Sequence, residues 1–141
     1  MNIEYSNTLE EVPWDRVSYL FEQVGWGARS PDKIERAFQS SSFVRFAYAG
    51  NELVGFGRTV DDGVYYGWIV DLVVLPSFQR RGIGKHILRE LESDLSPFIT
   101  TMLVAAQGAS GFYENQGWYK QRSAYIYPRS ERQIDVFSER R

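Results

Sequence analysis

The chain has 141 residues, 43% of them hydrophobic and 24% charged, with a formal net charge of −2. That length fits one domain with its own core, the composition excludes low-complexity disorder over most of it, and the charge draws it to neither nucleic acid nor an anionic membrane. With no cysteine and His86 as the only histidine, disulfides, thiolate nucleophiles, cysteine-ligated zinc and two-histidine metal sites are all excluded.

Residues 1–11 carry acids and no apolar h-region, so they do not read as a signal peptide. The most apolar run, 69–75, is broken by Asp71 and is too short for a bilayer. A cytoplasmic domain with no metal, no membrane contact and no nucleic-acid partner is expected.

Residues 2–5 read as a short first strand. In 14–24, Trp14, Val17, Leu20, Phe21 and Val24 recur at three- and four-residue steps, the apolar stripe of a helix, and Gly25-Trp26-Gly27 ends it. Ser30 caps a second helix with Pro31 at its first position and Ile34, Ala37 and Phe38 as its stripe. Strands over 43–49 and 52–60 flank a turn at Gly50-Asn51, and Asp61-Asp62-Gly63 turns the chain into a long strand over 65–75. A loop over 76–81 leads to a helix over 83–95, stopped by Pro97. A strand over 99–106, a short helix over 109–116 closed by Gly117, and a strand over 118–127 follow. Residues 1–128 make the expected domain, and 129–141 a charged tail, frayed or in contact with a partner. This order predicts an α/β (α+β) fold: a central mixed, mostly antiparallel sheet of six to seven strands with helices on both faces.

The segment that carries chemistry is the loop into the third long helix. Backbone N–H groups at a helix start lack intrahelical acceptors and, with the helix dipole, suit a phosphate or pyrophosphate. Gly82 and Gly84 leave those groups uncovered, and Arg80, Arg81 and Lys85 add positive charge. The phosphate-loop motif fails, because His86 follows Lys85 where a serine or threonine belongs. The dinucleotide fingerprint fails because Ile87 stands where its third glycine would be. A plain tight turn with surface arginines is the bland alternative. Two glycines, a glutamine and three cations within seven residues argue against it.

Gln79-x-x-Gly82-x-Gly84 after an apolar strand and Pro76 resembles the acetyl-CoA signature of the GNAT acetyltransferase superfamily. The likeness extends to Leu53-Val54-Gly55-Phe56-Gly57-Arg58 and to Gly111-Phe112-Tyr113-Glu114-Asn115-Gln116-Gly117-Trp118. Val24-Gly25-Trp26, Arg29-Ser30-Pro31 and Val70-Asp71-Leu72-Val73-Val74 look closer to small bacterial members and to the plant plastid serotonin N-acetyltransferases. The resemblance implies acetyl-CoA as co-substrate. Its pantetheine arm would pair with the splayed strand at Leu72, Val73 and Val74, and its pyrophosphate would sit on Gln79, Arg80, Arg81, Gly82, Ile83, Gly84 and Lys85. One departure is Ala106, with Gln107 next, where many relatives carry asparagine.

An alkylamine attacks a thioester only when neutral, so a base that takes its proton, and an acid that protonates the leaving thiolate, are sought. The resemblance makes Tyr113 the candidate acid, and its alternative is an aromatic packed beside Phe112. Asp71 is the candidate base, and its alternative is an ion pair with Arg58 on the neighbouring strand. Alternation sets Asp71 on the face opposite Leu72 and Val74, unless a bulge intervenes. Trp26, with Tyr65, Tyr66 and Trp68 as another wall, is the candidate acceptor pocket, or else a plug at the helix junction. His86 reads as a packing residue. The functional reading is acetyl transfer to a primary amine of a small molecule, an arylalkylamine being one such acceptor. A peptide or protein acceptor and a non-catalytic acyl-CoA sensor are the alternatives, and a homodimer is the partner that family resemblance suggests.

Overall fold

Among the described residues, five strands lie side by side in chain order: β1 (Ile3–Ser6), β2 (Val44–Ala49), β3 (Glu52–Asp61), β4 (Tyr66–Val74) and β5 (Thr100–Leu103). The computed structural model describes residues 2–140. The first three pairings are antiparallel and β4–β5 is parallel. A parallel pair needs a crossover, and α3 (Ile83–Asp94) supplies it. The hairpins close as their residues dictate: Gly50 takes φ +61° between β2 and β3. Between β3 and β4, the Asp62 carboxylate accepts the N–H groups of Val64, Tyr65 and Tyr66 at 2.9, 2.7 and 3.1 Å.

One face of this sheet is aromatic. Phe21 of α1 (Trp14–Gln23) and Phe38 of α2 (Pro31–Gln39) meet Phe56 of β3 edge-on at 5.1 and 5.8 Å, and all three are buried. The opposite face is close-packed through glycine. A Cβ on Gly57 would stand 3.0 Å from Ile87 and 3.2 Å from Leu91, and one on Gly67 only 2.6 Å from the buried Leu95. These glycines let α3 lie directly on β3 and β4, which fixes the loop that begins it.

Chain contacts divide the protein into two units, Met1–Leu103 and Val104–Arg141. The second holds α4 (Ser110–Asn115) and α5 (Glu131–Phe137). Within the tail, Ser130 caps α5 by accepting the Gln133 N–H at 3.1 Å, while the Gln133 side chain accepts the Arg129 N–H at 2.6 Å.

Among the described residues the sheet has five strands, fewer than the six to seven expected. Residues 118–127 form no strand, although four of the ten are aromatic. Tyr119, Tyr125 and Tyr127 are exposed, and Lys120, Gln121, Arg122 and Ser123 interrupt the apolar pattern, so neither a buried face nor a ladder partner sustains a strand there.

Candidate functional site

The site begins with an irregularity in β4. Arg58 pairs with Val70 and Phe56 with Val73, so Gly57 alone opposes both Asp71 and Leu72. Such an extra residue is a β-bulge, and Asp71 takes it up with φ +54°, a left-handed conformation that aspartate tolerates better than most residues. The bulge resets the alternation. Leu72 stays on the glycine face, its Cδ1 3.4 Å from where a Gly57 Cβ would be, while Asp71 joins Arg58 on the aromatic face. Arg58 Nε donates to Asp71 Oδ2 at 2.8 Å, and Arg29 Nη1 approaches Oδ1 at 3.4 Å. The ion pair weighed as the alternative for Asp71 is therefore formed, with both partners largely buried.

Just before the bulge, β4 loses one neighbour. Its pairing with β3 continues to Val74, but its pairing with β5 ends at Ile69. Residues 70–74 thus extend beyond the last β5 pairing, and this is where the strand could take an extended amide-bearing ligand. Val73 buries its side chain in the core, so only its backbone serves such a role.

A 3-10 turn, Pro76–Phe78, carries the chain from β4 to α3. Gln79 folds back, its Nε2 donating to Val74 O at 3.0 Å, which ties the loop to the strand end. Arg80 and Gly82 are both left-handed, at φ +64° and +83°. Gly82 is the N-cap of α3, no side chain caps that helix, and a Cβ on Gly82 would meet nothing within 4 Å. The first intrahelical bond, from His86 N–H to Gly82 O at 3.0 Å, comes after Ile83, Gly84 and Lys85, so their N–H groups precede the helical ladder. Ile83 itself anchors the turn in the core. Arg80, Arg81 and Lys85 are exposed, and among the described residues none is in an ion pair. Arg81 lies over the Phe78 ring at 4.9 Å. The loop fits a pyrophosphate: uncapped N–H groups, open space over Gly82 and three unpaired cations.

Beside Asp71 the aromatic face opens into a cavity of about 360 Å³, within the size range of small-molecule sites. Phe21, Ile34 and Phe38 give it apolar walls, and Arg29, Lys33, Arg58 and Asp71 give it charge. Lys33 was not singled out by the sequence, and Arg29 only as part of a resemblance. The available signal for Lys33 was its spacing: it falls one turn from Ala37 on α2, beside Ile34 and Phe38.

Trp26 does not line this cavity. The Gly25 N–H bonds Glu22 O and the Trp26 N–H bonds Phe21 O, both at 3.0 Å, with Gly25 at φ +82°. This is a Schellman end to α1, completed by the Trp26 ring against Phe21 at 5.8 Å. The Arg29 guanidinium stacks over Phe21 at 4.1 Å and lies 5.8 Å from Trp26, so the tryptophan helps seat an arginine that does line the cavity. Tyr66 and Trp68 are exposed on β4 and are not among the cavity's lining residues. His86 stacks on Tyr5 at 3.7 Å, a packing role.

Within the second unit the same motif recurs. Gly117, at φ +92°, bonds Glu114 O, and the Trp118 N–H bonds Tyr113 O at 3.0 Å, ending α4. Tyr113 is flanked by Phe112 at 5.1 Å and Trp118 at 6.4 Å. Burial pushes its phenol above the usual tyrosine value, so it holds its proton well past neutral pH. No helix of the described residues is long and apolar enough to cross a membrane, and no cluster among them would hold a metal ion.

Residues 8–118 match the model of the acetyltransferase (GNAT) family. An uncharacterized N-acetyltransferase, ycf52, of Pyropia yezoensis is 28% identical over 135 residues, covering 89% of this chain and 78% of that protein. Serotonin N-acetyltransferase 2, chloroplastic, of Oryza sativa is 30% identical over 70% of the chain, which spans about half of that protein, 52%. A probable acetyltransferase of Staphylococcus aureus superposes with a TM-score of 0.80 at 20% identity, over 92% of this chain and all of that one, 100%. With the signature loop, the crossover helix and the family match agreeing, the chain belongs to the GNAT family and is an acetyl-CoA-dependent acetyltransferase.

Proposed function

We propose that the chain transfers an acetyl group from acetyl-CoA to a primary amine of a small molecule, by direct attack within a ternary complex. The observation that carries this reading is a coincidence of place. The stretch of β4 left without β5 pairing and the cavity meet at Asp71, on the strand that leads into the anion-binding loop. Acetyl-CoA supplies the thioester. Leu72, Val73 and Val74 offer backbone to the pantetheine arm, and Arg80, Arg81, Lys85 and the N–H groups at Gly82, Ile83 and Gly84 hold the pyrophosphate. Gln79 keeps loop and strand in register through Val74 O. A small cavity suits a small amine better than a peptide, and likeness to the rice serotonin N-acetyltransferase points the same way.

The attacking amine must be neutral, and cations around it favour that form. Asp71 Oδ1, held only by the 3.4 Å contact to Arg29, is the oxygen that takes its proton. Tyr113, with its phenol protonated, is the acid for the departing thiolate. Backbone N–H groups of the bulged strand face the developing oxyanion.

The test is thiol release from acetyl-CoA against a panel of amines and short peptides, with Asp71→Asn and Tyr113→Phe beside the parent. Each variant should lower kcat/KM by about 10²- to 10⁴-fold, the usual range for a positioned acid or base. Full turnover by Tyr113→Phe would withdraw the acid assignment. Turnover of peptides alone would move the acceptor to a protein.

A further inference from the structure

Resting on that reading of the cavity as the acceptor site, we infer that the acceptor carries a carboxylate beside its amine, as an amino acid with an apolar side chain does. The chain as a whole has a net charge of −2, yet three cations and one carboxylate line this cavity. Arg58 is already satisfied. It donates to Asp71 Oδ2 at 2.8 Å, to Ala37 O at 3.3 Å and to Ser41 Oγ at 3.2 Å, and its charge is balanced by Asp71. Two positive charges remain over. Arg29 reaches Asp71 only at 3.4 Å and leaves 42% of its side chain exposed. Lys33 is exposed and in no ion pair among the described residues.

Such a lining selects by charge. An amine without an acid group enters as an ammonium among three cations, and like charges brought together disfavour that partner. A carboxylate on the same molecule reverses the balance. Arg29 offers a planar fork and Lys33 a point charge, the two donors suited to a carboxylate. Asp71 Oδ1 faces Arg29, so an amine and a carboxylate on one carbon reach their opposite charges side by side. Phe21, Ile34 and Phe38 then take an apolar side chain. Trp26 and Phe21 hold the Arg29 guanidinium by stacking, so the carboxylate donor is oriented before ligand arrives. A bare arylalkylamine has the apolar body but lacks the group that suits the loosely paired Arg29 and the unpaired Lys33.

Two measurements on the full chain separate this from the transfer reading. The first is binding, followed by NMR titration with CoA present, of 3-phenylpropionate, 3-phenylpropionamide and phenethylamine. The carboxylate should bind at least about ten-fold tighter than either comparison compound. Lys33→Ala and Arg29→Ala should each remove most of that margin, and Lys33→Ala, at an exposed position, should do so without moving the thermal midpoint. Equal or weaker binding of the carboxylate, or a margin untouched by both substitutions, would overturn the inference. The second is thiol release with phenylalanine against phenethylamine and tryptophan against tryptamine. A preference of about ten-fold or more in kcat/KM for the amino acids is expected. Release favouring the bare amines would retain acetyl transfer and overturn the carboxylate. Lys33-dependent carboxylate binding with no release from any amine would support the subsite and sink the transfer reading instead.

Discussion

Arg58 and Arg81 are the same residue type, one beside the middle of β4 and one in the loop that follows it, yet their surroundings are opposite. Arg58, on the aromatic face, is largely buried and donates to a carboxylate, a carbonyl and a hydroxyl. Arg81, in the loop before α3, is exposed, lies over one aromatic ring and has no ion-pair partner among the described residues. The first cation is part of the fold, because its charge is balanced within the protein before any ligand comes. The second contributes little to the fold and keeps its charge for a ligand. Arg29 stands between them, stacked like a structural residue but only loosely paired.

The comparison breaks first at Arg58. Arg58→Met leaves Asp71 in its bulge with Arg29 as its only cation. Removing one partner of a buried pair costs about 3–5 kcal/mol, and the remaining contact to Arg29 should reduce that to about 2–3 kcal/mol. A urea titration would measure it. Adding Asp71→Asn should recover part of the loss, since it removes the stranded charge while asparagine still tolerates φ +54°. A double variant no more stable than Arg58→Met would mean that the arginine acts through packing on Phe38, whose ring lies 5.6 Å from its guanidinium.

At the loop the expectation inverts. Arg80→Ala with Arg81→Ala should change stability by less than about 0.5 kcal/mol, as exposed substitutions usually do. CoA affinity should fall about ten-fold, equivalent to about 1.4 kcal/mol, and its salt dependence should weaken. Calorimetry at two ionic strengths reads both. Unchanged affinity would place the pyrophosphate elsewhere.

The two regions also differ in how far the sequence revealed them. The loop was legible because its determinants are local: glycines, cations and a helix start fall within seven residues, and their spacing states the geometry. The hairpins and α1 to α3 were legible for the same reason, each having a period and a stop signal. The bulge at Asp71 had no such signal. Its left-handed backbone is imposed by what lies across the strand, a Gly57 that accepts two residues opposite it and an Arg58 that draws the carboxylate to the aromatic face. The cavity was hidden likewise, since its charged residues come from the α1–α2 loop, α2, β3 and β4 and meet only after folding. Trp26 was left between two readings because a tryptophan between glycines suits either a pocket or a helix end. The hydrogen bond to Phe21 O shows the helix end, and Gly117-Trp118 repeats it at α4. Residues 118–127 form no strand where one was expected, since aromatic content without a buried face or a partner edge makes none.

The smallest expected effect lies in the β3–β4 turn, where a charge is satisfied by backbone alone. Asp62 is held below the usual carboxylate range by the N–H groups of Val64, Tyr66 and Tyr65. A carboxyl whose folded value is lowered stabilises the fold above its unfolded value, and that contribution is lost as pH falls through the folded one. Asp62→Asn keeps an acceptor at the turn but does not titrate. The variant should therefore be slightly less stable than the parent at neutral pH, with the gap closing as acid protonates Asp62 in the parent. Urea midpoints measured from neutral pH into the acid range would show it, and a gap that stays constant with pH would mean that turn geometry, not charge, is what Asp62 supplies. Because the turn is fully exposed, this effect should remain well below that of Arg58, whose ion pair is held largely out of water.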